Sequence, residues 1–250
     1  MPNLTAHVAL AVSWGESLNH ALVQRCIGAY VLGATTPDIR AMTRVPREET
    51  HFMHLESPDL TSGVAGLLQS HPHLRDATRL PEPTAAFLLG YFAHLVADQG
   101  WITTVYRPYF ADRARFPDQA EAMVLDRALQ LDEDRRADAA VRPLLASLAD
   151  AEKGVDVPFL SPANVRDWRV WVQGFLARDF SWERLRSLSR RRQRDEHLDA
   201  AAQAAESFLA SVDRSLERLT EQVPAHATDA YRQRSADAFL QVGREFFKCG

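Results

Sequence analysis

His94 and Asp98 stand four residues apart in the segment GYFAHLVADQGW. On a helix of 3.6 residues per turn they share one face, one turn apart. An imidazole and a carboxylate so placed can reach a single cation together. They can equally satisfy each other as a buried pair, because neither tolerates an apolar interior without a partner. Three further residues belong with them. Asp38 follows a proline in GATTPDIR, a Gly/Thr/Pro loop that holds a carboxylate at a rigid point or caps the next helix. His51 lies just beyond that loop in ETHFMH, and His7 sits in an otherwise apolar N-terminal helix. Read singly, each histidine is a ligand or a satisfied core residue. Taken together, His7, Asp38, His51, His94 and Asp98 place three imidazoles and two carboxylates in the first hundred residues. That donor set suits zinc, iron or manganese better than magnesium or calcium.

The elements that must position these groups read as helices. Apolar residues recur at helical spacing from Leu4 to Leu32, with a polar break. Gly33 and Thr36-Pro37 stop that stretch, and 35–46 reads as a loop. Thr50 is placed to cap a short helix carrying His51, and 60–70 reads as another helix. Thr84 is the expected N-cap of the most apolar helix, running to Tyr106. Being apolar nearly all round, this helix should be central. Charged helices are expected over 119–134 and 137–152, a Trp-rich one over 164–178, and two more over 198–223 and 228–247. In the first of these last two, Ala201, Ala205, Phe208, Val212, Leu216 and Leu219 form a packing stripe. Alternating βαβ patterns, glycine-rich phosphate loops and internal repeats are absent. The expectation is an all-α chain: a single multi-helix domain over 1–250 with a metal site in a central cleft. Within it, 1–118 carries the site and 119–250 supplies the C-terminal helices.

Composition narrows the function class. A 46% hydrophobic content over 250 residues supports a sizeable core. A net charge of -4 gives no footprint for nucleic acid. The run Arg190-Arg191-Arg192-Gln193-Arg194 is followed at once by Asp195-Glu196 and reads as a solvated helix end, so no nucleic-acid partner is expected. Cys26 and Cys249 form no disulfide framework, and free thiols fit a reducing compartment. The N-terminus lacks the basic region of a secretion signal. The longest apolar run, Ala85 to Val96, is broken by His94 and followed by Asp98, so no stable membrane insertion is expected. These features point to a cytoplasmic protein and leave its oligomeric state open.

The order LTAH, GATTPDIR, THF and GYFAHLVADQGW resembles the zinc-dependent phospholipase C family and its relatives, the P1/S1-type nucleases, over about residues 1–105. The resemblance implies an all-α enzyme that uses clustered zinc to hydrolyse phosphodiester or phosphomonoester bonds. It implies His7, Asp38, His51, His94 and Asp98 as metal ligands, with Asp98 as the bridging carboxylate. Pro2 stands at the offset before His7 where those enzymes carry a ligating N-terminal residue, and removal of Met1 would expose its amine. The family's third zinc is held by two later histidines and a carboxylate. Here no histidine follows Asp98 until His197, so one or two zinc ions are expected. Asp126 and Asp132 are possible substitutes, but their charged helix reads better as a solvated face.

In the reaction so implied, Asp38 is the catalytic carboxylate that ligates a metal and orients the attacking water. Arg40 and Arg44 could clamp a phosphate, and Trp101 could wall the cleft; each also reads as an ordinary exposed arginine or packing tryptophan. The expected substrate is small and phosphorylated. Two other readings stay open. One is a different hydrolase or a lyase on the same site. The other is a non-enzymatic helical protein with a structural metal and partner-binding C-terminal helices.

Overall fold

Helical spacing of apolar residues runs through the whole chain, and the computed structural model follows it. Residues 3–53, 56–188 and 196–248 are described, and among them there are twelve α-helices and no strand. Pro2 and the 190–194 arginine run lie outside the described residues. The first three helices are α1 (Leu4–Leu18), α2 (Ala21–Arg25) and α3 (Ile27–Thr35). The expected polar break thus becomes two helix ends. Asn19 closes α1 in the left-handed region (φ 52°), its N–H on the carbonyls of Gly15 and Glu16. Cys26 separates α2 from α3.

The segment read as a loop is more regular than expected. It holds a 3₁₀ turn, Thr36–Ile39, and a short helix α4 (Arg40–Thr43). Pro37 sits at the start of that turn, where its fixed φ and missing N–H cost nothing. Helix α5 (Glu48–His51) ends at Phe52, which takes the left-handed conformation (φ 54°) although it is not a glycine. That conformation costs a side-chain-bearing residue about 1–2 kcal/mol. Thr50 lies inside α5 rather than capping it. Helix α6 (Ser62–Ser70) then packs so closely that a Cβ on Gly66 would overlap the Phe52 carbonyl oxygen at 2.0 Å.

Helix α7 (Glu82–Trp101) is the axis of the molecule, and every residue from Thr84 to Trp101 is buried. Its N-cap is Pro81, not Thr84. The Thr84 hydroxyl instead donates to the Gly154 carbonyl and accepts from the Asp156 N–H, so it ties a distant loop. Beyond Trp101 the chain widens into a π-helix, Ile102–Phe110, carrying Pro108. Its exit bond runs from the Ala111 N–H to the Tyr106 carbonyl, five residues back.

The remaining helices are α8 (Gln119–Val141), α9 (Pro162–Leu176), α10 (Glu196–Leu209), α11 (Val212–Gln222) and α12 (Ala225–Phe246). Asp118 and Ser161 cap α8 and α9 with their side chains. The break expected near 135 is absent, and α8 runs on until Pro143 opens a 3₁₀ segment. The single helix expected over 198–223 is two, parted at Ala210-Ser211. Its stripe still packs inward, because the fold-back lets both halves rest on α8.

Two apolar cores result. The first gathers α1, α3, α6, α7, α9 and α12. The second gathers the π-helix, α8, α10, α11 and Tyr231. They do not divide at residue 118, because Val141, Leu148, Trp168 and Phe239 return to the first. Among the described residues, no helix is long and apolar enough to cross a membrane.

Candidate metal centre

The tightest helix pair fixes the first ligand. At the α3–α7 crossing, a Cβ on Gly33 would lie 1.9 Å from the Phe87 carbonyl oxygen. One on Gly90 would lie 1.9 Å from that of Tyr30. Only glycine at both positions lets the backbones approach this closely. The Ala34 carbonyl thereby reaches His94 Nδ1 at 2.9 Å. A carbonyl only accepts, so this nitrogen carries the proton. Burial first, and His7 second, push His94 well below the usual histidine range, so the ring is neutral. Its Nε2 is therefore a bare lone pair.

That lone pair faces another. His94 Nε2 is 3.7 Å from Asp98 Oδ2, and the helical spacing predicted this proximity. Helix α5 brings His51, whose Nε2 is 3.1 Å from the same oxygen. The His51 Nδ1 is 2.9 Å from the Thr50 hydroxyl, which also bonds the Arg47 carbonyl. The Tyr91 hydroxyl donates to the Thr50 carbonyl and fastens α5 to α7. Helix α1 brings His7, with Nε2 3.3 Å from Asp98 Oδ1 and its ring stacked on His94 at 3.7 Å. His7, His51, His94 and Asp98 are all buried.

The half-buried Asp38 completes the group. Ligand atoms of Asp38, His51 and His94 all lie within 4.8 Å of one another, and so do those of His7, His94 and Asp98. The structure therefore brings all five sequence-predicted ligands together. Among the atoms of these five residues, five are buried without a hydrogen-bond partner: both His7 ring nitrogens, Nε2 of His51 and His94, and Asp98 Oδ1. Unmet buried polar atoms are costly, and a cation held among these groups could satisfy them.

Two participants were not visible in the sequence. Arg47, just before α5, sets its Nη2 2.6 Å from Asp98 Oδ2. Burial alone would raise the Asp98 carboxyl. The Arg47 guanidinium is the largest opposing influence, and together with the surrounding histidines it holds the carboxyl well below the usual carboxylate range. The second is Asp134 on α8, which accepts the Ala6 N–H at 3.0 Å and so satisfies a free donor in the first turn of α1, next to His7.

The other predicted residues belong to neither of these groups. Arg40 and Arg44 are exposed. Trp101 is wholly buried in the second core, where its indole N–H donates to Asp126 at 2.9 Å and its ring meets Tyr231 edge-on. These contacts fit the packing reading of this residue. Asp132 is buried rather than solvated, held by Arg135 and Arg136. Neither a family model, a curated protein nor a solved structure matches this chain.

Proposed function

We propose that the chain is a metal-dependent phosphoester hydrolase whose cation is zinc, held by His7, Asp38, His51, His94 and Asp98. The observation that carries the metal reading is the His94–Asp98 pair. Two lone-pair carriers face each other at 3.7 Å with the imidazole proton committed to Ala34, and a cation between them resolves the conflict. The phosphoester reading rests on the resemblance to zinc-dependent phospholipase C, which covers these same residues.

A bound divalent cation supplies Lewis acidity, which makes water nucleophilic near neutral pH and offsets negative charge on phosphoryl oxygens. The chain's own residues supply the rest. The Ala34 carbonyl and the Thr50 hydroxyl fix two imidazoles in orientation, as partners behind metal-binding histidines do. Asp38 is half-buried, whereas the other four ligands are buried, so it is the one of the five that a substrate arriving from solvent would meet first. It orients the attacking water and holds its proton. The substrate is a small phosphorylated molecule of the cytoplasm.

A panel of phosphodiesters and phosphomonoesters, assayed with wild type and Asp38→Asn at saturating zinc, tests this. Expected is turnover of at least one ester by wild type, lost on chelation, restored by zinc or manganese, and at least tenfold lower in the variant. Equal background rates for both proteins on every ester would remove the hydrolase reading. A second reading has its own support. Arg47 already neutralises Asp98 at 2.6 Å, as it would in a structural polar network without catalysis. Zinc uptake separates the two, because such a network takes up none.

A further inference from the structure

Arg47 is the cluster member whose chemistry is least used by the contacts it makes. Its side chain is 10% exposed, and one nitrogen, Nη2, is engaged with Asp98. Its Nε and Nη1 are buried and have no hydrogen-bond partner. A guanidinium offers five N–H groups in a planar fork and cannot shed its charge. Neutralising Asp98 needs one of them. A lysine would do that as a point charge, without leaving a buried fork unmet. Buried, unengaged donors of a permanent cation beside a metal-ligand cluster fit an oxyanion.

The backbone is also held for the task. The Thr50 hydroxyl bonds both the Arg47 carbonyl and the His51 ring, so Arg47 and a metal ligand are positioned by one group.

We infer that Arg47 is the oxyanion-binding residue of the centre, its free N–H groups holding a phosphoryl group while Nη2 remains on Asp98. This places phosphate recognition on Arg47 and not on the exposed Arg40 and Arg44. It rests on the phosphoester reading above, deepens it, and can fail separately from it.

The test is calorimetric titration of inorganic phosphate into zinc-loaded and into chelator-stripped protein, with zinc content measured alongside. Wild type, Arg47→Lys, Arg47→Gln and Arg40→Ala are compared. Expected is phosphate binding by wild type and Arg40→Ala. A dissociation constant at least tenfold weaker is expected for both Arg47 variants, with zinc content unchanged. Equal phosphate affinity in wild type and Arg47→Lys at equal zinc content would overturn the inference and leave Arg47 a counter-ion. No phosphate binding by either form of wild type would overturn it as well. Arg47-dependent binding by stripped protein that takes up no zinc would uphold Arg47 and sink the metal. If both Arg47 variants fail to fold, a crystal structure of wild type with phosphate decides. Phosphate within hydrogen-bond distance of Nη1 supports the inference, and phosphate bound away from Arg47 contradicts it.

Discussion

Asp134 shows how burial moves a titratable group that supports the first turn of α1. Burial, partly offset by the Ala6 N–H, pushes its carboxyl up to about 6. The folded state therefore favours the protonated acid more than the unfolded chain does. The resulting stability is full below about pH 4, falls as pH rises toward about 6, and is flat above. Asparagine keeps an acceptor for the Ala6 N–H and cannot ionise. Thermal unfolding across pH should show wild type losing more stability than Asp134→Asn between pH 4 and 6. The variant should be at least as stable at pH 8. Parallel pH profiles for the two proteins would refute this account of Asp134. At this scale the convergence of His7, Asp38, His51, His94 and Asp98 was legible because each stands in an apolar or rigid context that ordinary surface residues lack. Arg47 was not, because the chain is rich in arginine and its partner lies 51 residues away. Asp134 was hidden for a related reason. Its helix reads as charged throughout, and only packing shows that Gln130, Asp132 and Asp134 turn inward.

Among the elements, the α3–α7 crossing decides whether the His94 carbonyl partner is in place. Two effects compete when Gly90 becomes alanine. Helix propensity favours alanine by about 1 kcal/mol. Against it, the new Cβ would sit 1.9 Å from the Tyr30 carbonyl oxygen, and backbone cannot step aside as a flexible side chain can. Overpacking of this kind costs about 1–3 kcal/mol or more, so the clash wins. Gly90→Ala should lower the melting temperature and zinc affinity together, since α3 carries Ala34 away from His94. A Cβ added at Gly174 on α9 would meet nothing within 4 Å. Gly174→Ala should therefore be neutral or stabilising and leave zinc binding unchanged. Paired melting curves and zinc titrations check both, and a destabilised Gly174→Ala or a stabilised Gly90→Ala would contradict the packing argument. Helix identity was readable from apolar spacing, but helix ends were less so. Thr84 carries a cap residue's chemistry yet spends it on Gly154 and Asp156, a choice made by tertiary contact. Phe52 ends α5 in a conformation that local sequence does not favour, and its ring is held by Phe159 at 5.3 Å.

For the whole molecule, the centre joins α1, α5 and α7 with the turn that carries Asp38, so a cation held there cross-links four parts of the chain. The all-α class followed from composition and period alone. How the two cores share the chain did not, because Trp168 and Phe239 return to the first core from far along the sequence. A ligand that binds only the folded protein stabilises it by mass action, about 2.7 kcal/mol at a hundredfold excess over its dissociation constant. In a chain this size that corresponds to roughly 5–10 °C in melting temperature. Zinc should produce such a rise in wild type, reversed by chelator, and none in His94→Ala. His71→Ala and His73→Ala should respond as wild type does. A zinc-independent melting temperature in wild type would count against the centre.

The most direct measurement is the metal content of protein purified without added metal, by elemental analysis, paired with an anomalous-scattering map. Expected is at least one zinc, manganese or iron per chain, with anomalous density among His7, Asp38, His51, His94 and Asp98, and loss of that metal in Asp98→Asn. Metal-free wild type that takes up no zinc on addition, or density elsewhere with Asp98→Asn fully loaded, would contradict it.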